Sequence, residues 1–521
     1  MKIGIVSMYP YRPHIQDMVY LSNQLESIGH DCSFLSCKAS LPTCYYNLFK
    51  GKIKSDKQCL KCRIGGFSSY VNKKKVYYIN NKRKSKLDMF DINYIVNSTI
   101  GSLGRVENEY EIEKVIDNNI KIKLEESVNI VYQNTIDWIV KEGIEGVLLF
   151  NGRLDVTRAI MLSLTRNDIP FISVENHLNG ITLNYNADCL SLNFINTINE
   201  MYKDSYLNNE QALFAGKIIG EMFLKKQKLW RTHNISNIKS TWPINKTKTS
   251  KVLITPSSKY EFLGNQDWEV DWTTDYTEGY QKVIEALGVD YSDCVLRCHP
   301  FWSENLGELG KGNKSEKHYT DWANKFGINV IKSDDDVNTL DLISEAEIIL
   351  VNGGTAGIEA AILGKKVISV GKSRYYMAGF TINVFSDKDA ETLRTIFNSL
   401  DSELIQKRVL RYLYNYHARF EQFHDVIIKK TALKNSYIDS KNVADSIIRF
   451  FQNKKIEPFI SMSGQDCRYE EEIISLVNKR DWNTLVAKKD DQFANIGYEI
   501  KKRGLLKIVD SIRNKLPAGH Y

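Results

Sequence analysis

"ILVNGGTAGIEAAILGKKVISVG", residues 349–371, compresses an apolar run, a turn of small residues, a short helical pattern and a second apolar run into 23 residues. Two continuous apolar runs joined by a helix read as neighbouring parallel strands, which need a crossover of about a dozen residues and are buried on both faces. The alternation extends backwards from there. Strand patterns at "KVLITPSS" (251–258), "CVLRCHP" (294–300) and "INVIKS" (328–333) are separated by helix patterns at "YTEGYQKVIEALG" (276–288), "YTDWANKFG" (319–327) and "TLDLISEA" (339–346). Strict alternation of this kind predicts a doubly wound parallel sheet over residues 250–400.

The N-terminal half opens in the same way. "KIGIVSM" (2–8) is a buried-strand pattern, "DMVYLSNQLESIGH" (17–30) puts Met18, Leu21 and Leu25 on one helical face, and "DCSFLSC" (31–37) is the next strand. "GVLLFNG" (146–152) and "PFISVEN" (170–176) flank a helix over 155–166, and residues 107–142 are helical in pattern. Periodicity fades over 232–251, where Asn, Ser and Thr accumulate. The expected organisation is therefore a first α/β unit over 1–235, with a Cys-rich basic insertion at about 37–90, and a second over 250–400. A mostly helical crossover and tail covers 401–521. The fold class is α/β, with two Rossmann-like doubly wound parallel sheets and a helical C-terminal extension.

The totals agree. A chain of 521 residues exceeds the roughly 250–300 that one core supports, and 43% hydrophobic with 26% charged residues excludes a disordered chain. The net charge of +7 conceals an asymmetry: residues 50–86 hold 13 Lys or Arg against the single acid Asp56, so the rest carries −5. A segment this basic suits nucleic acid, anionic lipid, an anionic glycan, or simply a solvated loop. The nine cysteines are an odd number, which argues against a disulfide framework. Cys37, Cys44, Cys59 and Cys62 have spacing compatible with a four-sulfur structural zinc site, and equally with buried free thiols.

Ligands of open α/β sheets bind at the carboxyl ends of the strands. Three such ends in the second unit carry suitable groups. The turn Gly353, Gly354, Thr355, Ala356 and Gly357 opens a helix bearing Glu359, where free N–H groups and the helix dipole suit a phosphate. His299 and Pro300 end a second strand, and Ser257 and Ser258 a third. Arg374 and Tyr375, in "GKSRYY", are further candidates for nucleotide or sugar contact. In the first unit, Asp155 and Glu175 are carboxylates at strand ends or early helix positions, expected to face the other unit. Arg153 is placed to steer an anionic group and His177 to assist proton transfer.

The pairing of "RCHP" (297–300) with "VNGGTAGIEAAILGKKVISVGKSRYYMAGFT" (351–381) resembles the C-terminal half of bacterial capsule and surface-polysaccharide glycosyltransferases of GT-B architecture, a group that includes the capsule Kdo (3-deoxy-manno-octulosonate) transferases. The likeness covers residues 250–385; the first half is similar only in outline, through "FNGR" (150–153) and "VEN" (174–176). One departure is Asn352-Gly353-Gly354-Thr355 where the family has Asn-Ser-Thr. The resemblance implies a metal-independent transferase. Its sugar nucleotide, CMP-Kdo or a related CMP-2-keto acid sugar first and a UDP-sugar second, would be held by His299, Pro300, Gly354, Thr355, Gly357 and Glu359. The acceptor, a capsule or lipopolysaccharide O-antigen glycan, oligosaccharide or lipid-linked, would lie by Asn151, Arg153 and His177. Glu175, Asp155 and His299 are the expected catalytic groups.

Two rivals share these features. A sugar-nucleotide 2-epimerase would bind a UDP-sugar and need no acceptor, leaving the basic segment and tail without a role. A nucleic-acid or membrane-surface binding protein would use the basic segment, but only Tyr70, Tyr77 and Tyr78 offer bases a stacking surface there, and nucleic acid is not the expected partner. The opening "MKIGIVSMYP" lacks a signal-peptide pattern, so a cytoplasmic protein is expected. The basic amphipathic "KKRGLLKIVDSIRNKL" (501–516) either packs on its own domain or touches the inner face of the cytoplasmic membrane.

Overall fold

A computed structural model describes residues 1–51, 56–71, 74–81, 87–177, 180–224, 239–303, 309–310, 314–419, 423–424, 426–430, 435–455, 463–487 and 496–513. The first sheet contains β1 (Lys2–Ser7), β2 (Asp31–Cys37), β3 (Lys75–Ile79), β4 (Gly146–Phe150), β5 (Phe171–His177) and β6 (Gly180–Tyr185). The second contains β7 (Val252–Thr255), β8 (Cys294–Arg297), β9 (Asn329–Ile331), β10 (Ile348–Val351), β11 (Lys366–Ser369) and β12 (Thr381–Asn383). Their spatial orders, β3-β2-β1-β4-β5-β6 and β12-β11-β10-β7-β8-β9, are one Rossmann order used twice. Among these twelve strands every neighbouring pair is parallel except β5 with β6. The fold is α/β with two Rossmann-like sheets.

Both sheets are covered on both faces, which is why their strands read as unbroken apolar runs. On β1, Ile3 and Ile5 join a core with Met18, Leu21 and Leu25 of the helix His14–Ser27, while Val6 joins a second core with Trp138. Gly4 lies under that indole: a Cβ there would stand 2.3 Å from a Trp138 ring carbon. In the second sheet Leu253, Val295 and Ile349 enter one core, and Val252, Leu296 and Leu350 the other.

Two features differ from the sequence expectation, and a third agrees with it. The helices Asn193–Tyr202 and Asn209–Phe223, read as part of the first unit over 1–235, pack in the second sheet's core: Ile195, Ile198, Ala215 and Ile219 share a cluster with Leu253 and Val351. An amphipathic pattern shows that one face is buried without showing against what. Second, the tail is not purely helical. A short strand β13 (Phe423–His424) pairs with β6, and β14 (Ile427–Lys430), β15 (Asn435–Ile438) and β16 (Ile496–Ile500) form a small antiparallel sheet. Third, in keeping with the expected crossover, the chain returns to the first unit: Val443, Ile447 and Phe451 of the helix Lys441–Asn453 join the core of Ile3 and Ile5.

Candidate functional site

In the second sheet the winding reverses at β7, which has β8 on one side and β10 on the other, so a crevice opens at the carboxyl ends of these strands. Asn352, just beyond β10, is buried and bridges the crevice floor. Its Oδ1 accepts from the Ser257 N–H at 2.6 Å and its Nδ2 donates to the Ser257 carbonyl at 2.7 Å. Gly353 and Gly354 follow with φ of +112° and +88°, and a Cβ on Gly354 would come within 2.5 Å of Ser257 Oγ. Only glycine suits that position. The helix Thr355–Ile362 then begins with no side-chain cap and no acid in its first turn, and Gly354 and Thr355 are exposed. Its first N–H groups therefore point toward solvent at the positive end of the helix dipole.

The neighbouring loops are tied to the same floor. Trp302 Nε1 donates to Ser258 Oγ at 2.6 Å, which draws the His299 loop against the β7 loop. His299 is exposed and its Nδ1 accepts from the Phe301 N–H at 3.1 Å, so the neutral ring carries its proton on Nε2. Pro300 begins the short helical turn Pro300–Ser303. Tyr375 is buried beneath the glycine turn, donating to the Gly354 carbonyl at 2.9 Å and closing against Gly357. Ser258, Ser257 and Tyr375 thus shape the crevice from below. Glu359 is half-buried one turn into the helix, and Ala356 is half-buried beside it.

The first sheet presents charged side chains at its equivalent edge. Beyond β4, Asn151 and Gly152 turn sharply with φ of +64° and +84°. Asn151 Nδ2 donates to Glu175 Oε2 at 2.7 Å, and its Oδ1 accepts from the Arg153 N–H at 3.1 Å. Glu175, at the end of β5, also has His14 Nδ1 at 3.4 Å, and the His14 ring lies 4.1 Å from that of Phe150. Asp155, expected to face the second unit, is instead fully buried at the start of the helix Asp155–Arg166. It accepts from the Tyr9 hydroxyl and, at 2.7 Å, from the Tyr45 N–H, and burial raises its pKa. A carboxylate at a helix start serves that helix, and the sequence does not reveal that Tyr9 and Tyr45 cover it. The His177 side chain lies outside the described residues.

The two edges meet. Arg374, from the loop after β11, donates to the Cys189 carbonyl at 2.6 Å and to the Tyr416 hydroxyl at 2.6 Å, and the Cys189 N–H donates to the Asn151 carbonyl at 2.9 Å. Burial raises the Cys189 thiol, which also feels the charges of Glu175, Asp188, Arg153 and Arg374. Arg374 therefore stands at the junction of the units, in the loop whose Tyr375 donates to the Gly354 carbonyl. A second junction escaped the sequence reading: Glu107, from the first unit, is buried against the second. It accepts from the Ser315 hydroxyl and, at 2.9 Å, from the Lys259 N–H, and burial pushes it up to about 7. Nothing in "GRVENEYE" distinguishes it from its acidic neighbours.

Cys37, Cys44, Cys59 and Cys62 gather in one region. Asn47 Nδ2 lies 3.3 Å from Cys44 Sγ and 3.6 Å from Cys59 Sγ, and the other three thiols help raise Cys62 after burial. Burial likewise pushes the Cys44 thiol up to about 12. Among the described residues no group of three or more His, Cys, Asp or Glu is arranged to hold a metal ion.

No family model and no curated protein matches this chain. Solved structures do resemble it. The β-Kdo 2,4 transferase KpsC of Thermosulfurimonas dismutans is 14% identical, with 59% of this chain and 88% of that one covered at a TM-score of 0.32. UDP-GlcNAc 2-epimerase from Neisseria meningitidis, bound to UDP-GlcNAc, is 12% identical over 87% of this chain and 100% of that one, at 0.29. The glycosyltransferase SnogD from Streptomyces nogalater is 9% identical over 80% and 94%, at 0.23.

Proposed function

We propose that the protein is a GT-B glycosyltransferase that moves a sugar from a nucleotide-activated donor to a bacterial surface glycan. One observation carries this reading: the Asn352–Ser257 bridge holds an uncapped, exposed helix start beside the His299 loop, on a sheet edge tied through Arg374 and Cys189 to Asn151, the partner of Glu175. The helix start suits a phosphate, whose charge grows as the sugar–phosphate bond breaks; N–H donors already aimed there stabilise that charge without reorganising. His299 adds a donor at the same rim. Glu175, held by Asn151 and His14, is the base for the acceptor hydroxyl, and Arg153 steers an anionic acceptor or sugar. The donor is a CMP-linked 2-keto acid sugar, following the motif resemblance, with a UDP-sugar second. The acceptor is an oligosaccharide or lipid-linked glycan reached from the cytoplasmic side.

Thermal-shift measurement with CMP, CDP, UDP and GDP tests the donor half, because a ligand that binds only the native state raises the melting temperature. One of the four should stabilise the wild type, and His299→Ala should abolish that shift. A wild type indifferent to all four removes the reading. Product formation without an acceptor would assign the site to epimerisation instead.

A further inference from the structure

The helix Gly504–Arg513 does not use its apolar face inside the molecule. Leu505, Ile508, Val509 and Ile512 are 80%, 56%, 57% and 59% exposed. Leu516 and Lys515, which would continue the pattern, lie outside the described residues. Burying four such side chains is a strong driving force, and leaving them in water is costly unless something covers them.

The residue before this helix is tied to the segment that follows a second exposed helix, although more than 400 residues separate the two in sequence. The Arg503 N–H donates to the Ser69 carbonyl at 3.0 Å, and the Arg503 guanidinium to the carbonyls of Val71 at 2.6 Å and Ser68 at 3.3 Å. Ser69 Oγ in turn donates to the carbonyl of Ile64, at the end of the helix Asp56–Gly65. That helix exposes Leu60 and Ile64 among exposed Lys57, Lys61 and Arg63. Arg503 thus joins the basic tail to the basic insertion. Residues 56–71 and 496–513 together hold eight Lys or Arg against three acids.

We propose that the face formed by the helices Asp56–Gly65 and Gly504–Arg513 docks on an anionic lipid bilayer, with the aliphatic side chains entering the headgroup boundary and the lysines meeting lipid phosphates. Charge complementarity selects this occupant. A two-fold contact with another copy would set basic helix against basic helix, which repel. Nucleic acid would satisfy the lysines but gains nothing from exposed leucine and isoleucine, whereas an anionic leaflet takes both. No helix among the described residues is long and apolar enough to cross a membrane, so the contact is peripheral. It is independent of the transfer reaction.

Co-sedimentation of the full chain with vesicles tests it. Binding to phosphatidylglycerol-containing vesicles should exceed binding to pure phosphatidylcholine by at least about tenfold and weaken in about 0.5 M salt, where the screening length falls to a few ångströms. Ile508→Glu with Ile512→Glu should abolish it, and Lys57→Glu with Lys61→Glu should reduce it about tenfold through the other helix. All four positions are exposed, so the variants should keep the wild-type melting temperature and nucleotide shift. Wild type that stays in the supernatant with anionic vesicles overturns the proposal. So do charge variants that sediment like wild type, or a dimer by light scattering that the isoleucine substitutions dissociate.

Discussion

The turns after β4 and β10 occupy the same place in their sheets, beside the central strand, and open with the same pair, Asn151-Gly152 and Asn352-Gly353. Their side chains then part. Asn151 reaches outward along its sheet to Glu175 on β5, while Asn352 reaches inward to the backbone after β7. The helices that follow differ in the same sense. The first places Asp155 in its opening turn, so its positive end is already answered by a buried carboxylate; the second has no acid and no cap there. One topology thus yields an edge that satisfies its own helix and displays titratable side chains, and another whose helix start is left for an anion from outside. In the proposed transferase this division gives proton transfer to one unit and phosphate binding to the other.

Glu175→Gln should break the division most visibly. The amide keeps the side chain's shape and one acceptor oxygen, enough for Asn151, and gives up only the bond from the Asn176 N–H, so the fold and the nucleotide-induced shift should be unchanged. Turnover should fall by about 10²–10⁴, the usual contribution of a general base. Steady-state rates beside thermal shifts separate the two effects; a variant with normal turnover would remove Glu175 from the chemistry.

The same contrast shows what a single sequence can reveal. The parallel strands were legible because both faces are buried, which leaves uninterrupted apolar runs, and the carboxyl edges followed from strand direction alone. β3, within the basic insertion, and β6 are partly polar or lie toward sheet margins, and β12 has three residues; none produces such a run. Backbone conformation was legible where local geometry sets it, as at Gly354. The burial of Asp155, the ties of Arg374 to Cys189 and Tyr416, and the location of Glu107 each depend on a partner 42 to 208 residues away. The helices at 193–223 look alike whichever sheet they cover.

Asn352→Ala should produce the next effect, confined to the phosphate edge. It removes two short hydrogen bonds and leaves the Ser257 N–H and carbonyl without them, at a cost of about 2–4 kcal/mol. Urea unfolding measures that loss. Because the bridge aligns the β7 and β10 loops, nucleotide affinity should also weaken, by at least about tenfold, beyond what a general loss of stability would do. Calorimetry under conditions where the variant is fully folded tests the point, and unchanged affinity would show that the bridge supports the fold alone.

Glu107 gives the smallest effect and the sharpest test of the contrast, since it is a carboxylate that the first unit inserts at the second unit's edge. Burial against Ser315 and Lys259 raises its pKa from the usual 4.5 to about 7, so the native state holds its proton over a range in which the unfolded chain has lost it. Stability from this group is therefore fully present below about pH 4.5, declines as the pH rises through 7, and stays low above that. The decline is at most about 3 kcal/mol, because each pH unit that separates the folded and unfolded values is worth roughly 1.4 kcal/mol. Glu107→Gln keeps the shape and cannot ionise. The stability gap between wild type and variant, followed by urea unfolding from pH 5 to pH 8, should therefore move in the variant's favour as the pH rises. A gap constant across that range would mean that the carboxylate is charged in both states, and the phosphate edge would then contain a permanent negative charge that its assignment does not allow.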